Sequence, residues 1–224
     1  ITTTGLTAGT TYYFCAIVSN ASGTAFGSVL SFTIPAQPIV VTNAATNITA
    51  SSATINGAAT PLAASTSGWF RYSSTKPAAC DDSFGSRVPY TGGTSLGAGI
   101  AAVSYAQSIS SLLPSTTYYF CAIATNSYGT SFGALQQFTT PATAPSVSTS
   151  GATSLTRTSG VLNGYVNPGG ASTRAWFRYA TASPGTCNDT FGTRAPSTSG
   201  TDVGAGASGV TYTQNVSGLS PGVT

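Results

Sequence analysis

The 224-residue chain has no histidine, no glutamate and no methionine, and only 5% of it is charged, against roughly 25% in an ordinary globular protein. Without His and Glu most of the side chains used for general acid–base catalysis are missing. A serine nucleophile would have only Lys76 as a base, which is a poor one. The chain is therefore read as non-enzymatic, with no catalytic residue. Seven Lys plus Arg against four Asp leave a formal charge of +3 spread along the whole length. That is too thin for tracking phosphates, which takes clustered basic residues, so no nucleic-acid partner is expected. No apolar run reaches the roughly 18 to 20 residues that a membrane-spanning helix needs, so no membrane span is expected. An initiator Met and a basic-plus-apolar leader are also missing, and Ile1 opens what reads as a strand. The expectation is a mature product or an excerpt of something longer.

Four cysteines in a Thr-, Ser- and Gly-rich chain without histidine point to disulfides in an oxidising compartment rather than to zinc. The address implied is secreted or cell-surface. The carboxylates give little chemistry. Asp81 and Asp82 are adjacent, so in extended chain they point to opposite sides and suit a glycosidase pair badly; the matching place later in the chain reads Asn188–Asp189. Two carboxylates are too few for calcium, so no metal is expected. Asp82 and Asp189 each precede an arginine by five residues, Arg87 and Arg194, across a Phe-Gly turn, which suggests local ion pairs. The glycine-rich GAGI at Gly97 and GAGA at Gly204 lack the context of a phosphate loop and read as turns, so no cofactor is expected. Glycosylation sequons stand at Asn20, Asn47, Asn188 and Asn215.

What the chain does contain is itself, copied. GWFRYSSTKPAACDDSFGSRVP from Gly68 returns as AWFRYATASPGTCNDTFGTRAP from Ala175, with Trp69 on Trp176 and Cys80 on Cys187 at a shift of 107 residues. LTAGTTYYFC from Leu6 matches LLPSTTYYFC from Leu112 at a shift of 106, and LSPGVT from Leu219 begins the same phrase. A repeat of this size is a whole domain, because solenoid units run only about 20 to 50 residues. The proline-bracketed PAQP at Pro35 and PATAP at Pro141 are the linkers. The expected organisation is the C-terminal part of one repeat over 1–35, a complete repeat over 38–141 and the N-terminal part of a third over 145–224. Each incomplete part is expected to be completed by polypeptide outside the sequence, from a continuation or a neighbouring copy.

Within the complete repeat, strand patterns fall near Ile39–Thr42, Ser52–Ala58, Gly68–Ser74, Ala102–Ser110, Thr116–Thr125 and Ser131–Thr139, with a loop-rich stretch between Pro77 and Gly99. The fold class expected is all-β, with tandem antiparallel sandwiches. Leu112, Pro114, Thr116 and Tyr118 fit the tyrosine corner, in which a buried ring packs under a turn and its hydroxyl bonds back to nearby backbone. With LNGYVNPGG from Leu162, these phrases make the chain resemble the fibronectin type III family in its bacterial surface and extracellular branch. The usual domain of that family is cysteine-free, whereas this one carries two cysteines per copy.

Taken with that topology, strand alternation places Tyr118 and Phe120 inward and Tyr119, Cys121 and Ile123 outward. Cys80, in the loop after the third strand, is then expected to bond Cys121, with two free thiols as the alternative; Cys15 and Cys187 are expected to lack a partner in their own domains. Trp69 and Arg71 would share the outer face with Tyr119 and Ile123 and could stack as a cation–π pair. That strip is either a contact face for a neighbour or a sugar, or a strip covered by the domain's own clipped loop. Two functions follow. One is a non-enzymatic structural repeat protein forming an extracellular filament, stalk or surface array of a bacterium, with head-to-tail partners that are copies of itself or further repeats. The other is an adhesin or carbohydrate-binding module that holds a glycan or cell-surface ligand on exposed aromatics.

Overall fold

The structure is a computed structural model describing residues 4–222, so residues 1–3 and 223–224 of the first and third expected segments lie outside it. The described residues form two compact units, one running up to Ser111 together with Thr117–Thr139, the other Leu112–Thr116 together with the residues from Thr140 onward. Residues ahead of Pro35 thus belong to the same compact unit as the middle repeat.

The first unit opens with four short strands, β1 (Thr11–Phe14), β2 (Ile17–Asn20), β3 (Gly23–Phe26) and β4 (Leu30–Thr33). They form two hairpin-like pairs, with Tyr12 opposite Phe32 and Ile17 opposite Phe26. The hydroxyl of Tyr12 accepts the Thr7 amide at 2.8 Å, which is the back-bond of a tyrosine corner.

The middle repeat follows as β5 (Ile39–Thr46), β6 (Ser52–Thr60), β7 (Thr66–Ser73), β8 (Ser86–Val88), β9 (Thr94–Gly97), β10 (Val103–Ser110), β11 (Thr117–Asn126), β12 (Gly129–Phe132) and β13 (Gln136–Thr139). All pairings are antiparallel. One sheet runs β10-β6-β5; the other runs β12-β11-β7-β8, with β13 also on β11 and β9 also on β7. β6 shows why the sheets close on each other: Ala53, Ile55, Gly57 and Ala59 are buried and alternate with half-buried neighbours, the period of a strand with one face in a core. Across from it, β11 buries Phe120 and Ala122 toward that core and Cys121 and Ile123 on its other side, which is why its sequence reads as an unbroken apolar run. Phe70, Tyr105, Ile109, Tyr118 and Phe138 complete the core. The glycine at position 57 has a packing reason, since a Cβ there would lie 2.7 Å from the Ala122 methyl.

Two expectations need adjusting. The stretch Ser131–Thr139 is two strands because Thr42 intrudes at Gly133: its hydroxyl accepts the Ala122 amide at 3.0 Å, and a Cβ on Gly133 would meet that hydroxyl at 2.4 Å. The loop-rich stretch from Pro77 to Gly99 contains β8 and β9, both hydrogen-bonded to β7.

The second unit contains β14 (Ser146–Thr153), β15 (Ser159–Asn167), β16 (Thr173–Ala175), β17 (Phe177–Tyr179), β18 (Thr193–Ala195), β19 (Thr201–Gly204) and β20 (Val210–Ser217). β14-β15-β20 form one sheet, while β16 pairs with β19 and β17 with β18. Here too lie the corner residues that precede β11: Thr116 donates its hydroxyl to the Pro114 carbonyl at 2.9 Å, its amide donates to the Thr140 hydroxyl at 3.0 Å, and Leu112 is buried. In the first unit Tyr118 is buried and stacks on Phe138 with ring centres 5.7 Å apart.

Candidate functional site

The densest constellation of specific side-chain contacts is built by residues 80–92 folding over the outer face of β7 and β11. Cys80 is bonded to Cys121 across a Cα separation of 6.0 Å. The bond closes a sequence separation of 41, which on chain-entropy grounds contributes about 4 kcal/mol by restricting the unfolded chain. Beside it, Trp69, Cys121 and Ile123 form a buried cluster against which Cys80 and Phe84 pack.

Polar bonds then hold the loop in place. Asp82 Oδ1 accepts the indole N–H of Trp69 at 2.8 Å and Nε–H of Arg71 at 2.9 Å. Arg71 also donates to the carbonyls of Asp82, Phe84 and Gly85, so one guanidinium ties three backbone acceptors of the loop to β7. Asp81 turns the chain at its start, with Oδ1 accepting the Ser83 amide and hydroxyl and the Phe84 amide. Those bonds, led by the Ser83 side chain, hold the Asp81 carboxyl below its usual range. Gly85 sits at φ +50°, where a Cβ would lie 2.1 Å from the Tyr72 carbonyl oxygen; only glycine lets the loop turn back this close to β7.

The register between β7 and β8 sets Arg71 directly opposite Arg87, an unfavourable like-charge pair if left alone. The two are handled differently. Arg71 takes Asp82, while Arg87 lies over the Trp69 ring at 4.5 Å from its centroid and donates to the carbonyls of Pro89 and Gly92. Trp69 is thus covered on one face by a cation and anchored at its edge by a carboxylate.

The structure corrects the expected roles of these residues. The partner of Asp82 is Arg71 rather than Arg87, and the cation stacked on Trp69 is Arg87 rather than Arg71. The reason is cross-strand register: a neighbour on the adjacent strand reaches over a ring, whereas the residue at i+2 lies alongside on the same strand. Trp69, Arg71 and Ile123 are brought together but are covered by the loop, so they do not form an exposed contact strip. Tyr119 is half-buried and lies away from them, opposite Ser73 and Gln137. Sequence reasoning found the Phe84–Gly85 turn, which recurs at Phe191–Gly192, but missed the bonds by which Asp81 opens the loop. It also missed the buried hydroxyl of Tyr105, which donates to the Ile123 carbonyl at 2.9 Å and whose burial pushes its pKa far up.

The second unit carries the same clip, with β18 the strand paired to β17 among the described residues. Asp189 accepts Trp176 Nε1–H at 2.7 Å and Arg178 Nε–H at 3.0 Å, and these bonds hold its carboxyl below the usual range. Arg178 donates to the Phe191 and Gly192 carbonyls, and Arg194 lies 4.5 Å from the Trp176 centroid. Asn188 replaces Asp81 at the turn and accepts from the amide and hydroxyl of Thr190 and the amide of Phe191. What differs is cover. Trp176 is 39% exposed against 6% for Trp69, and both Cys187 and Cys15 are exposed free thiols. Tyr212, the counterpart of Tyr105, is 5% exposed, and among the described residues its hydroxyl lacks the backbone acceptor that Tyr105 has, with Thr201 the polar side chain near it.

Among the described residues no group of three or more His, Cys, Asp or Glu side chains is placed to hold a metal, and no helix is long and apolar enough to cross a membrane.

No protein-family profile matches the chain, and no curated protein does. Among solved structures it is similar to the sensor domain of the anti-sigma factor RsgI4 in Pseudobacteroides cellulosolvens. A short form matches at 23% identity over 46% of this chain and 94% of that one, with a TM-score of 0.32. A long form matches at 24% identity over 53% and 99%, also at 0.32. The FN1–FN3 domains of chicken CNTN1 match at 16% identity over 97% of this chain and 69% of that one, with a TM-score of 0.34.

Proposed function

We propose that the protein is a non-enzymatic structural repeat protein that builds an extracellular filament, stalk or surface array of a bacterium, its sandwiches joined head to tail through strands of the same repeat type. The observation that carries this reading is a contrast within one molecule. Phe120 and Ile123 are 0% exposed in the middle repeat, while Phe14 and Ile17, in the same sequence context, are 51% and 61% exposed. Side chains of that size on a sheet face call for cover, and the middle repeat supplies the pattern of that cover in β5, β6 and β10.

Low charge favours the same reading. Sheet proteins commonly keep apart by placing Lys or Glu on exposed edges, and this chain has one Lys and no Glu to use. The Cys80–Cys121 bond supports an oxidising, secreted or cell-surface address. The binding-module reading has lost its main support, because Trp69 lies under its own loop. Negative-stain electron microscopy and light scattering of the purified chain test the proposal. Rods with a repeating spacing of one or two domains are expected. Compact, dispersed monomers at all concentrations would overturn it.

A further inference from the structure

The two proline-bracketed linkers each stand in the same chain of three backbone bonds. The end of the last strand before the linker returns to the corner of its own repeat, with the Ile34 amide donating to the Thr10 carbonyl and the Thr140 amide to the Thr116 carbonyl, both at 3.0 Å. The linker then donates to a turn of the next repeat that follows a fully buried proline, Pro61 or Pro168. The Ala36 amide reaches the Leu62 carbonyl at 3.2 Å, and the Thr143 amide reaches the Gly169 carbonyl at 2.8 Å. That turn rests in its turn on the glycine-rich GAG loop, whose Gly99 carbonyl accepts the Ala63 amide at 3.3 Å and whose Gly206 carbonyl accepts the Gly170 amide at 3.0 Å. All partners of the first set lie in the first unit, and all partners of the second set in the second unit.

The backbone bonds recur, but the side chains differ in a compensating way. At the first joint the corner residue is Gly9 and the turn carries Leu62 and Ala63; at the second the corner residue is Ser115 and the turn is Gly169–Gly170. Leu62 reaches toward the space that Gly9 leaves, so that a Cβ on Gly9 would meet its Cδ1 at 3.5 Å. In the second joint the side chain comes from the other partner. A Cβ on Gly170 would lie 2.5 Å from the Ser115 Cβ, and one on Gly169 would lie 2.6 Å from the carbonyl oxygen and the hydroxyl of Thr143. Backbone conformation alone does not demand glycine in this turn. Leu62 and Ala63 hold φ of +54° and +63°, in the same left-handed region as Gly169 and Gly170 at +70° and +88°. Fit to the preceding corner and linker is what excludes side chains from the second turn.

We infer that each linker is a keyed joint, in which the corner of one repeat and the proline turn of the next are matched as a pair. A glycine corner accepts a turn that bears side chains, whereas a serine corner with the longer PATAP linker accepts a Gly-Gly turn. The partner that this surface fits is another repeat of the same chain, and the matched residues decide which repeat follows which. A mismatched neighbour puts two Cβ atoms closer than side chains ever pack. Relieving that overlap means drawing the turn away from the corner, which breaks the amide bonds of Thr143 and Gly170 that hold the joint together. The inference goes beyond the filament reading and stands whether or not separate copies assemble.

The test is amide hydrogen exchange on the whole chain carrying Gly170→Ala, Ser115→Gly, or both. The Thr143 amide is the reporter, since its own sequence neighbours are unaltered in every variant. Gly170→Ala is expected to speed its exchange by about tenfold or more, while the Trp69 indole N–H in the first unit keeps its protection. Ser115→Gly alone should change the Thr143 rate by less than about twofold. The double variant rebuilds the combination found at the first joint, Gly9 with Ala63, and should bring the rate back to within about threefold of the unaltered chain. A double variant as fast as Gly170→Ala would assign the loss to backbone strain at position 170 and overturn the key. So would a Gly170→Ala chain with an unchanged Thr143 rate, or a Ser115→Gly chain as fast as Gly170→Ala. Should Gly170→Ala unfold the second unit outright, seen as lost protection of the Trp176 indole N–H, the same comparison decides: recovery in the double variant upholds the key, and its failure overturns it. Rods or dispersed monomers under the microscope bear on the filament reading alone.

Discussion

The same seven residues, TYYFCAI, lie within one continuous strand in the middle repeat but are divided near the start between β1 and β2, with Cys15 and Ala16 in the gap. The same four, WFRY, run unbroken through β7 but are interrupted at Trp176 between β16 and β17. Local sequence cannot account for either difference, because it is identical. What differs is the opposing layer. β11 lies on β7 and faces β5 and β6, and each of these strands has its continuity imposed by the other. The clip teaches the opposite lesson. Its ion pair, its indole anchor and its stacked arginine recur in both units at nearly the same distances, since every partner comes from one short stretch of chain. The repeat is thus a locally specified clip joined to a core that exists only when both sheets are present.

The largest effect should separate the two aromatic knobs. Phe120→Ala empties a fully buried site, and its cost should lie near the top of the usual range, about 5 kcal/mol. Phe14→Ala in the dispersed chain should cost less than about 1 kcal/mol, because little apolar area is lost from cover. Denaturant unfolding followed by Trp69 emission measures the first, and circular dichroism the second. Equal losses would mean that β1–β4 are already packed as the middle repeat is, and the comparison would fail.

How far the sequence announced this arrangement follows the same division. The repeat, the sandwich class and the inward face of β11 were legible, because strand alternation and internal copying are local properties of the sequence. The partners within the clip were not. Asp82 was assigned to Arg87 on spacing alone, while the register between β7 and β8 decides that Arg71 takes the carboxylate. The break at Gly133 was also invisible, since it depends on a Thr42 hydroxyl arriving from the other sheet. One compensation could be read only with both copies in view. A Cβ at Gly68 would lie 2.9 Å from Leu96 and from the Tyr105 ring, and the third repeat, with alanine at 175, has the smaller Val203 in place of leucine.

A middle-sized effect sharpens the claim that the clip is local. Gly85 and Gly192 have φ of +50° and +52°, and a Cβ on either would sit within 2.2 Å of a β-strand carbonyl oxygen. Replacing either by alanine should cost about 2 to 3 kcal/mol of local stability through left-handed strain and that clash. Hydrogen exchange of the Trp69 and Trp176 indole N–H groups reports each clip separately, and similar losses of protection are expected. A Gly192→Ala variant with unchanged Trp176 protection would show that the second clip depends on something other than its own loop.

The smallest effect should come from Asp81→Asn, and the second unit supplies the control. Asn188 accepts the same three bonds there, at 2.9, 2.7 and 3.1 Å, as Asp81 accepts at 2.7, 2.7 and 3.1 Å. At neutral pH the exchange should therefore leave the denaturant midpoint unchanged, as for an ordinary surface substitution. Acid distinguishes the two. The folded Asp81 carboxyl titrates below its ordinary value, so its contribution is fully present above the unfolded pKa, about 3.9, and is lost as pH falls through the lower, folded value. In the unaltered chain, Ser83 amide protection should fall through that acid window; in Asp81→Asn it should stay level, because a carboxamide has no proton to gain. An acid-dependent loss that survives the substitution would assign the sensitivity to another carboxylate and end the equivalence of the two turns.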